Sequence, residues 1–329
     1  MAYRGWEKVK IKNDSGESVS GIAPVIISAS RATDIPAFYG EWLIDRLDKG
    51  YVKWINPFNG QPQYISFQKT RLIVFWTKNP SLFIPLLSRI EQKNIHYLFQ
   101  FTLNDYENLE LHLPSLTERI ETFRKLSGQI GKERISWRFD PIILTDKITP
   151  EILLGRIEKI GNQISGFTKR LTISFLSRYA KVDRNLNRAG LSVKNLDHFD
   201  IKKIGEGLRD LGIRWGIEVV SCAEQIDLSA FNILNGSCID PFNIARNFGD
   251  DPELRNFLGL KNETDIFGKN SISLRTGLKD PGQRKLCGCT ISKDIGRYDT
   301  CPHGCIYCYA NSSMEKASIN YRTKKGDVI

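Results

Sequence analysis

No apolar run in this chain of 329 residues approaches the roughly 18 to 20 residues that a bilayer-spanning helix needs, so a helical membrane fold is excluded. The opening stretch, "MAYRGWEKVKIKNDSGES", is polar and carries no apolar h-region. A secretory signal is therefore not expected, and the expected location is the cytoplasm, with no membrane partner. Cysteine is scarce: seven residues, unevenly spaced, which excludes the disulfide framework of a small secreted domain. Also missing is a G-x-G-x-x-G after the first strand-like run, which leaves a dinucleotide-type Rossmann sheet as the second choice of fold.

The chain is 41% hydrophobic and 26% charged, a balance that supports a packed core rather than disorder. The formal net charge is +10, which permits attraction to nucleic acid or to small anions. The basic residues are scattered, however, and the densest groups, "EKVKIK" and "RTKKGD", lie near the ends. Charge alone decides neither the partner nor the substrate.

Six apolar runs have strand length: "PVIISAS" (24–30), "RLIVFW" (71–76), "HYLFQFTL" (96–103), "RISWRF" (134–139), "RLTISFL" (170–176) and "IRWGIEVV" (213–220). They are nearly continuous in β-branched and aromatic residues, as strands buried on both faces of a parallel sheet are. Between them run amphipathic stretches. Leu116, Ile120, Phe123 and Leu126 share one helical face, and Leu153, Ile157, Ile160 and Ile164 share another behind the N-cap Thr149 and Pro150. Ile201, Ile204, Leu208 and Leu211 repeat the pattern. The alternation predicts an α/β fold, a partial (β/α) barrel of six units. Residues 51–70 read as an inserted hairpin around Asn59-Gly60. The expected division is a barrel over 1–230 and a loop-rich, cysteine-bearing segment over 231–329, packed on the barrel mouth.

In such folds chemistry collects where strands end. Arg31 and Asp34 follow the first strand, Lys78 and Asn79 the second, and Arg138 and Asp140 close the fourth. Ser28, Ser30, Ser174, Arg178, Glu218, Cys222 and Glu224 fall at comparable places. Arg31, Asp34, Arg138 and Asp140 are the expected catalytic or substrate-binding set, although an Arg138–Asp140 pair inside a barrel would be structural.

The densest chemical signal is "TCPHGCIYCYANSS" near the end, where Cys301, Cys305 and Cys308 have the spacing C-x3-C-x2-C. Structural zinc asks for four ligands, usually two short pairs. Three thiolates on a four-iron, four-sulfur cluster leave one iron open to another ligand. His303, inside the loop, keeps a Cys3His zinc site as an alternative. The other cysteines, Cys222, Cys238, Cys287 and Cys289, number four. They read as a second, fully ligated iron–sulfur or zinc site, or as buried free thiols.

The stretches "ISASRATDIPAFYGEW", "VFWTKNP", "WRFDPIILTDK" and "CGCTISKDIGRYDTCPHGCIYCYANSS" together resemble a bacterial and archaeal family, domain of unknown function 1848, described as carrying a radical-SAM-like cysteine cluster. Cys301, Cys305, Tyr307 and Cys308 also resemble the cluster loop of radical S-adenosylmethionine enzymes, spore photoproduct lyase among them. That resemblance implies a 4Fe–4S cluster, S-adenosylmethionine as cofactor, and a reducing donor such as flavodoxin or ferredoxin. Tyr307, Lys78 and Asn79 would then lie near the cofactor. The substrate, a small molecule or a nucleic acid, is not specified. In those enzymes the cysteine loop follows the first strand, so its place here implies a permuted barrel. The usual Gly-Gly-Glu after the second strand is replaced by "WTKNP". The alternatives are a non-catalytic iron–sulfur or zinc-stabilised protein, and a nucleic-acid-binding or repair protein.

Overall fold

The structure, a computed structural model, describes residues 5–264, 270–323 and 326–329. Its centre is an eight-stranded parallel sheet. The strands are β1 (Ile26–Ala29), β2 (Leu72–Thr77), β3 (His96–Thr102), β4 (Ile135–Ile142), β5 (Arg170–Phe175), β6 (Glu218–Cys222), β7 (Leu234–Gly236) and β8 (Lys293–Asp294). They lie in the order β7-β6-β5-β4-β3-β2-β1-β8, all parallel. The protein is thus an α/β protein with a large parallel sheet.

Five of the six expected strands form close to their predicted limits. The sixth does not start at Ile213. A helix, α4 (His198–Trp215), runs through Trp215 and ends at Gly216 in the left-handed conformation, after which β6 begins at Glu218. The β-branched run "IRWGIEVV" misled because its first three residues complete the helix, and Gly216 is a helix stop. Glu218 consequently stands at the start of β6, paired with Arg170 at 2.7 Å, away from the strand ends. The sheet has eight strands rather than six, because β7 and β8 are only three and two residues long, too short for a periodic signal. Both come from the segment expected to be loop-rich.

The two faces of the sheet differ. Ile27, Ile73, Phe75, Phe99, Phe101, Trp137, Phe139 and Ile173 point to the helices α1 (Gly40–Lys49), α2 (Leu116–Ile130), α3 (Pro150–Ile164) and α4, and form the larger apolar core. Ser115 and Glu118 close a capping box at the start of α2, and Thr149 caps α3 with Pro150 at its first position. On the opposite face the alternate residues Ile26, Leu72, Val74 and Leu98 pack with a second cluster drawn from residues 222–289. Toward the strand ends that face turns polar, with Ser28, Trp76, Gln100, Arg138, Thr172 and Ser174. Period-two alternation therefore separates helix packing from chemistry.

A smaller four-stranded sheet combines Glu7–Lys12, Ser18–Ala23, Pro62–Ser66 and Tyr51–Ile55. The last two pair antiparallel on either side of Asn59-Gly60. A groove of about 310 Å3 on this sheet is lined by Lys8, Trp54 and Gln63 among others and contains no cysteine. Among the described residues no helix is long and apolar enough to cross a membrane.

Candidate functional site

The segment 300–311 lies across the C-terminal ends of the strands. After β1, Asp34 accepts a hydrogen bond from the Lys78 backbone N–H at 2.7 Å and sits 2.7 Å from His303 Nε2. Both His303 and Asp34 are almost fully buried. After β3, residues 109–112 run alongside the loop: Ile306 N–H donates to Leu109 O at 2.9 Å, and His112 N–H to His303 O at 3.1 Å. After β5, Lys181 Nζ donates to Tyr309 O at 2.9 Å, while Tyr309 Oη donates to Arg31 O at 2.6 Å. The turn needs Gly304, whose φ is +69° and whose missing side chain would meet His112 Nδ1 and Met314 Sδ at 3.0 Å.

Beneath the loop is a buried charge network. Lys78 Nζ lies 2.6 Å from Glu110 Oε1 and donates to Tyr307 Oη at 3.0 Å. Tyr307 Oη also bonds Glu110, and Asn104 Nδ2 donates to both, at 3.1 and 3.2 Å. Arg119 approaches Glu110 at 3.5 Å from α2. Burial alone would raise Glu110, but Lys78 and Arg119 hold it below the usual carboxylate range. Burial likewise works against the Lys78 charge, and Glu110 holds that ammonium above its ordinary value. Lys78 and Tyr307 therefore fasten the loop through their polar atoms. Asn79 caps the local turn, accepting from Ser81 N–H at 3.4 Å.

The three loop cysteines are partly exposed. Burial of the sulfurs raises all three thiols, Cys301 to about 12. Backbone N–H groups of His303 and Asp34 point at the Cys301 sulfur, and Ala310 N–H approaches Cys308 Sγ at 3.3 Å. Two buried polar atoms of the loop, His303 Nδ1 and Asn311 Oδ1, have no hydrogen-bond partner.

The other four cysteines converge elsewhere, on the polar face between β6, β7 and β8. Cys222 ends β6, Cys238 follows β7, and Cys287 and Cys289 precede β8. Cys222 and Cys238 sulfurs are 3.3 Å apart, Ile239 N–H approaches Cys289 Sγ at 3.4 Å, and Cys289 N–H approaches Cys287 Sγ at 3.5 Å. Arg138 Nη1 lies 2.7 Å from Cys238 Sγ, and its Nη2 pairs with Asp140. The contact with Cys238 pulls Cys222 down to about 6, with Arg138 acting in the same direction. Arg31 and Arg138 both lie over the Trp76 ring, at 4.8 and 5.1 Å. Arg31 is also tied to Asp294 of β8 through its backbone N–H at 2.9 Å. Asp140 accepts from Ser174. Among the described residues no three or more His, Cys, Asp or Glu side chains have the arrangement of a formed metal site.

The expected set is thus divided. Asp34 and Lys78 hold the three-cysteine loop, whereas Arg31, Arg138 and Asp140 adjoin the four-cysteine group. Sequence reasoning passed over Glu110, Asn104 and Arg119, although Asn104 directly follows "HYLFQFTL" and so stands at a strand end. It also passed over Asp294, which lies in a strand too short to read.

The sequence matches the profile described as "Domain of unknown function (DUF1848)" over residues 26–310. The chain belongs to the DUF1848 family. No curated protein matches it. Among solved structures, a "putative alpha-L-fucosidase" from Bacteroides thetaiotaomicron is 11% identical, with a TM-score of 0.26, over 59% of this chain and 83% of that one. A likeness that low carries no argument. The DUF1848 match includes every one of the seven cysteines and all the strand-end residues named above.

Proposed function

We propose that this DUF1848 protein is a radical-SAM-like iron–sulfur enzyme whose eight parallel strands act as a (β/α) barrel, with the three-cysteine loop lying over its mouth. The observation that carries this reading is the anchoring of residues 300–311 on the ends of β1, β2, β3 and β5, through Asp34–His303, Lys78–Glu110–Tyr307 and Lys181–Tyr309. A loop with its place late in the chain is thereby brought to the strand ends where such chemistry is done.

The donor set fits the group. Two of the three thiols on this tight loop, Cys301 and Cys308, receive backbone N–H groups, which stabilise thiolate sulfur. Cys301, Cys305 and Cys308 would hold a 4Fe–4S cluster, which supplies reductive cleavage of S-adenosylmethionine. An electron donor such as flavodoxin or ferredoxin would reduce it. Asp34 and His303 orient the first half of the loop, and Tyr307 locks the second half through Glu110. Trp76, with Arg31 and Arg138 against it, gives the neighbouring face an aromatic floor. Anaerobic reconstitution should incorporate iron and sulfide, and the reduced protein should form 5′-deoxyadenosine. Cys305→Ala should abolish both. Reconstituted protein that holds a cluster yet forms no 5′-deoxyadenosine would refute the enzymatic reading.

One observation favours a second reading. His303 Nε2 faces the Asp34 carboxylate while Nδ1 is buried without a partner, the orientation of a metal-ligating histidine held by a carboxylate. The three thiols with His303 Nδ1 would then make a structural zinc site. Zinc in place of iron and sulfide, lost in His303→Ala, would favour it.

A further inference from the structure

Four cysteines meet at the one place where the parallel sheet is left unpaired. β7 and β8 are its two edge strands. The chain just beyond β7 and the chain just before β8 touch through one backbone bond, Thr290 N–H to Ile239 O at 2.9 Å. Cys238 and Cys289 flank that bond directly, with Ile239 N–H reaching Cys289 Sγ at 3.4 Å. Cys222 enters from β6 and Cys287 from the same turn as Cys289. All four are buried, with exposures of 9, 5, 6 and 2% for Cys222, Cys238, Cys287 and Cys289. The turn packs closely on the residue before Cys238, since a side chain on Gly288 would stand 2.5 Å from Ser237 Oγ.

We propose that Cys222, Cys238, Cys287 and Cys289 form a mononuclear tetrathiolate metal site, taking one soft tetrahedral ion of the zinc class, that staples β7 to β8. Three features carry it. The first is donor number and type: four sulfurs and no competing oxygen ligand suit zinc or a single iron. The second is size. Metal–sulfur bonds of about 2.3 Å place tetrahedral sulfurs about 3.8 Å apart. The Cys222–Cys238 separation of 3.3 Å reaches that by small side-chain rotations. A four-iron cluster puts each thiolate on a different iron and needs far wider spacing than the 3.3 Å between the Cys222 and Cys238 sulfurs.

The third feature is charge. A divalent ion with four thiolates carries a net charge of about −2, which burial makes costly unless it is countered. A buried guanidinium, Arg138, and a half-buried one, Arg31, are at hand. Arg138 Nη1 contacts Cys238 at 2.7 Å. Arg31 lies against Cys289, and its Nη2 is buried without a hydrogen-bond partner. Each thiol that ligates releases its proton to solvent, so the site binds metal with loss of protons and no redox change.

The test uses the full chain with Cys301→Ser, Cys305→Ser and Cys308→Ser combined, which removes the loop site of the proposed function. Elemental and sulfide analysis should still find about one metal ion per chain and no sulfide, and Co2+ added to chelator-stripped protein should give the absorption of a tetrathiolate complex. Absence of bound metal with no tetrathiolate Co2+ spectrum would overturn the proposal. So would several irons with sulfide, or thiols that stay oxidised as disulfides in denatured, chelator-treated protein. If that variant does not fold, Cys289→Ser compared with wild type reads the same quantity. Loss of about one metal ion with sulfide unchanged supports the staple, and unchanged metal overturns it. Formation of 5′-deoxyadenosine by Cys289→Ser reports on the loop site separately, so the two readings fail independently.

Discussion

The two cysteine groups of this protein are built on opposite electrostatic plans. Around Cys301, Cys305 and Cys308 the sulfurs are raised by burial, and the nearby charges are spent on each other in the Lys78–Glu110–Arg119 network. In the other group the Cys222 and Cys238 sulfurs touch, and Arg138 is aimed at Cys238. The three loop thiols are all raised by burial, whereas the four-thiol group is split, with Cys222 and Cys289 lowered and Cys238 and Cys287 raised by the contacts among the sulfurs. Spacing along the chain hides this difference, which comes from what each strand end contributes.

The largest effect expected is that of Glu110→Ala. It strands Lys78 and Arg119 in the interior and frees the Tyr307 hydroxyl, at a cost of about 3 to 5 kcal/mol. Denaturant unfolding should show that loss. Alkylation followed by mass spectrometry should find Cys301, Cys305 and Cys308 more reactive and Cys222 and Cys238 unchanged. Equal exposure of both groups would mean that they belong to one cooperative unit, which breaks the comparison.

Arg138→Met tests the other side. It removes the cation facing Cys238 and leaves Asp140 with Ser174 alone, costing about 3 kcal/mol. Cys222, no longer pulled down by Arg138, should alkylate more slowly near neutral pH, and the loop should keep its protection. A smaller loss, about 2 kcal/mol, is expected for Asp34→Asn, which weakens the acceptor shared by His303 and the Lys78 N–H. Here selective proteolysis within residues 300–311 should precede global unfolding, because one anchor of three is damaged. Protection equal to wild type would show that Asp34 does not hold the loop.

Much of this was legible beforehand, for physical reasons. The nearly continuous apolar runs "RLIVFW" and "HYLFQFTL" follow from burial on both faces of the sheet, and the 3.6-residue stripes of α2 and α3 from burial on the helix face, where Phe75, Phe99, Phe123 and Ile157 meet. The opposite face was not legible. It is covered by residues 222–289, whose contacts are set by single residues such as Cys238 and Leu254 rather than by a period. β8 illustrates the point: two residues long, it is fixed by Asp294, which accepts from Ser28 at 2.8 Å, Ser30 at 2.6 Å and Arg31 N–H at 2.9 Å. Such a strand exists because of side-chain bonds to a distant segment. The convergence of four cysteines has the same origin. Their chemistry could be counted in the sequence, but their meeting required knowing that the chain returns to β1.

The smallest effect distinguishes the two regions by the sign of their pH dependence. Glu224, just beyond Cys222, is raised by burial from an ordinary 4.5 to about 7, although it accepts the Phe175 N–H at 2.9 Å. Its folded pKa lies above its unfolded one, so the stability it confers is complete below about pH 4.5 and is lost as pH rises through about 7. Glu110 is depressed, so its contribution is present above the ordinary carboxylate pKa and is lost as pH falls. Glu224→Gln should therefore gain on wild type between about pH 5 and pH 8, by about 1 to 2 kcal/mol after allowance for solvent screening. Glu110→Gln should instead lose less against wild type as the solution is acidified. Urea unfolding of Glu224→Gln between about pH 5 and pH 8, and of Glu110→Gln below the ordinary carboxylate value of 4.5, measures the two slopes. Parallel slopes would mean that the carboxylates share one environment, and the electrostatic contrast between the two cysteine groups would fall with them.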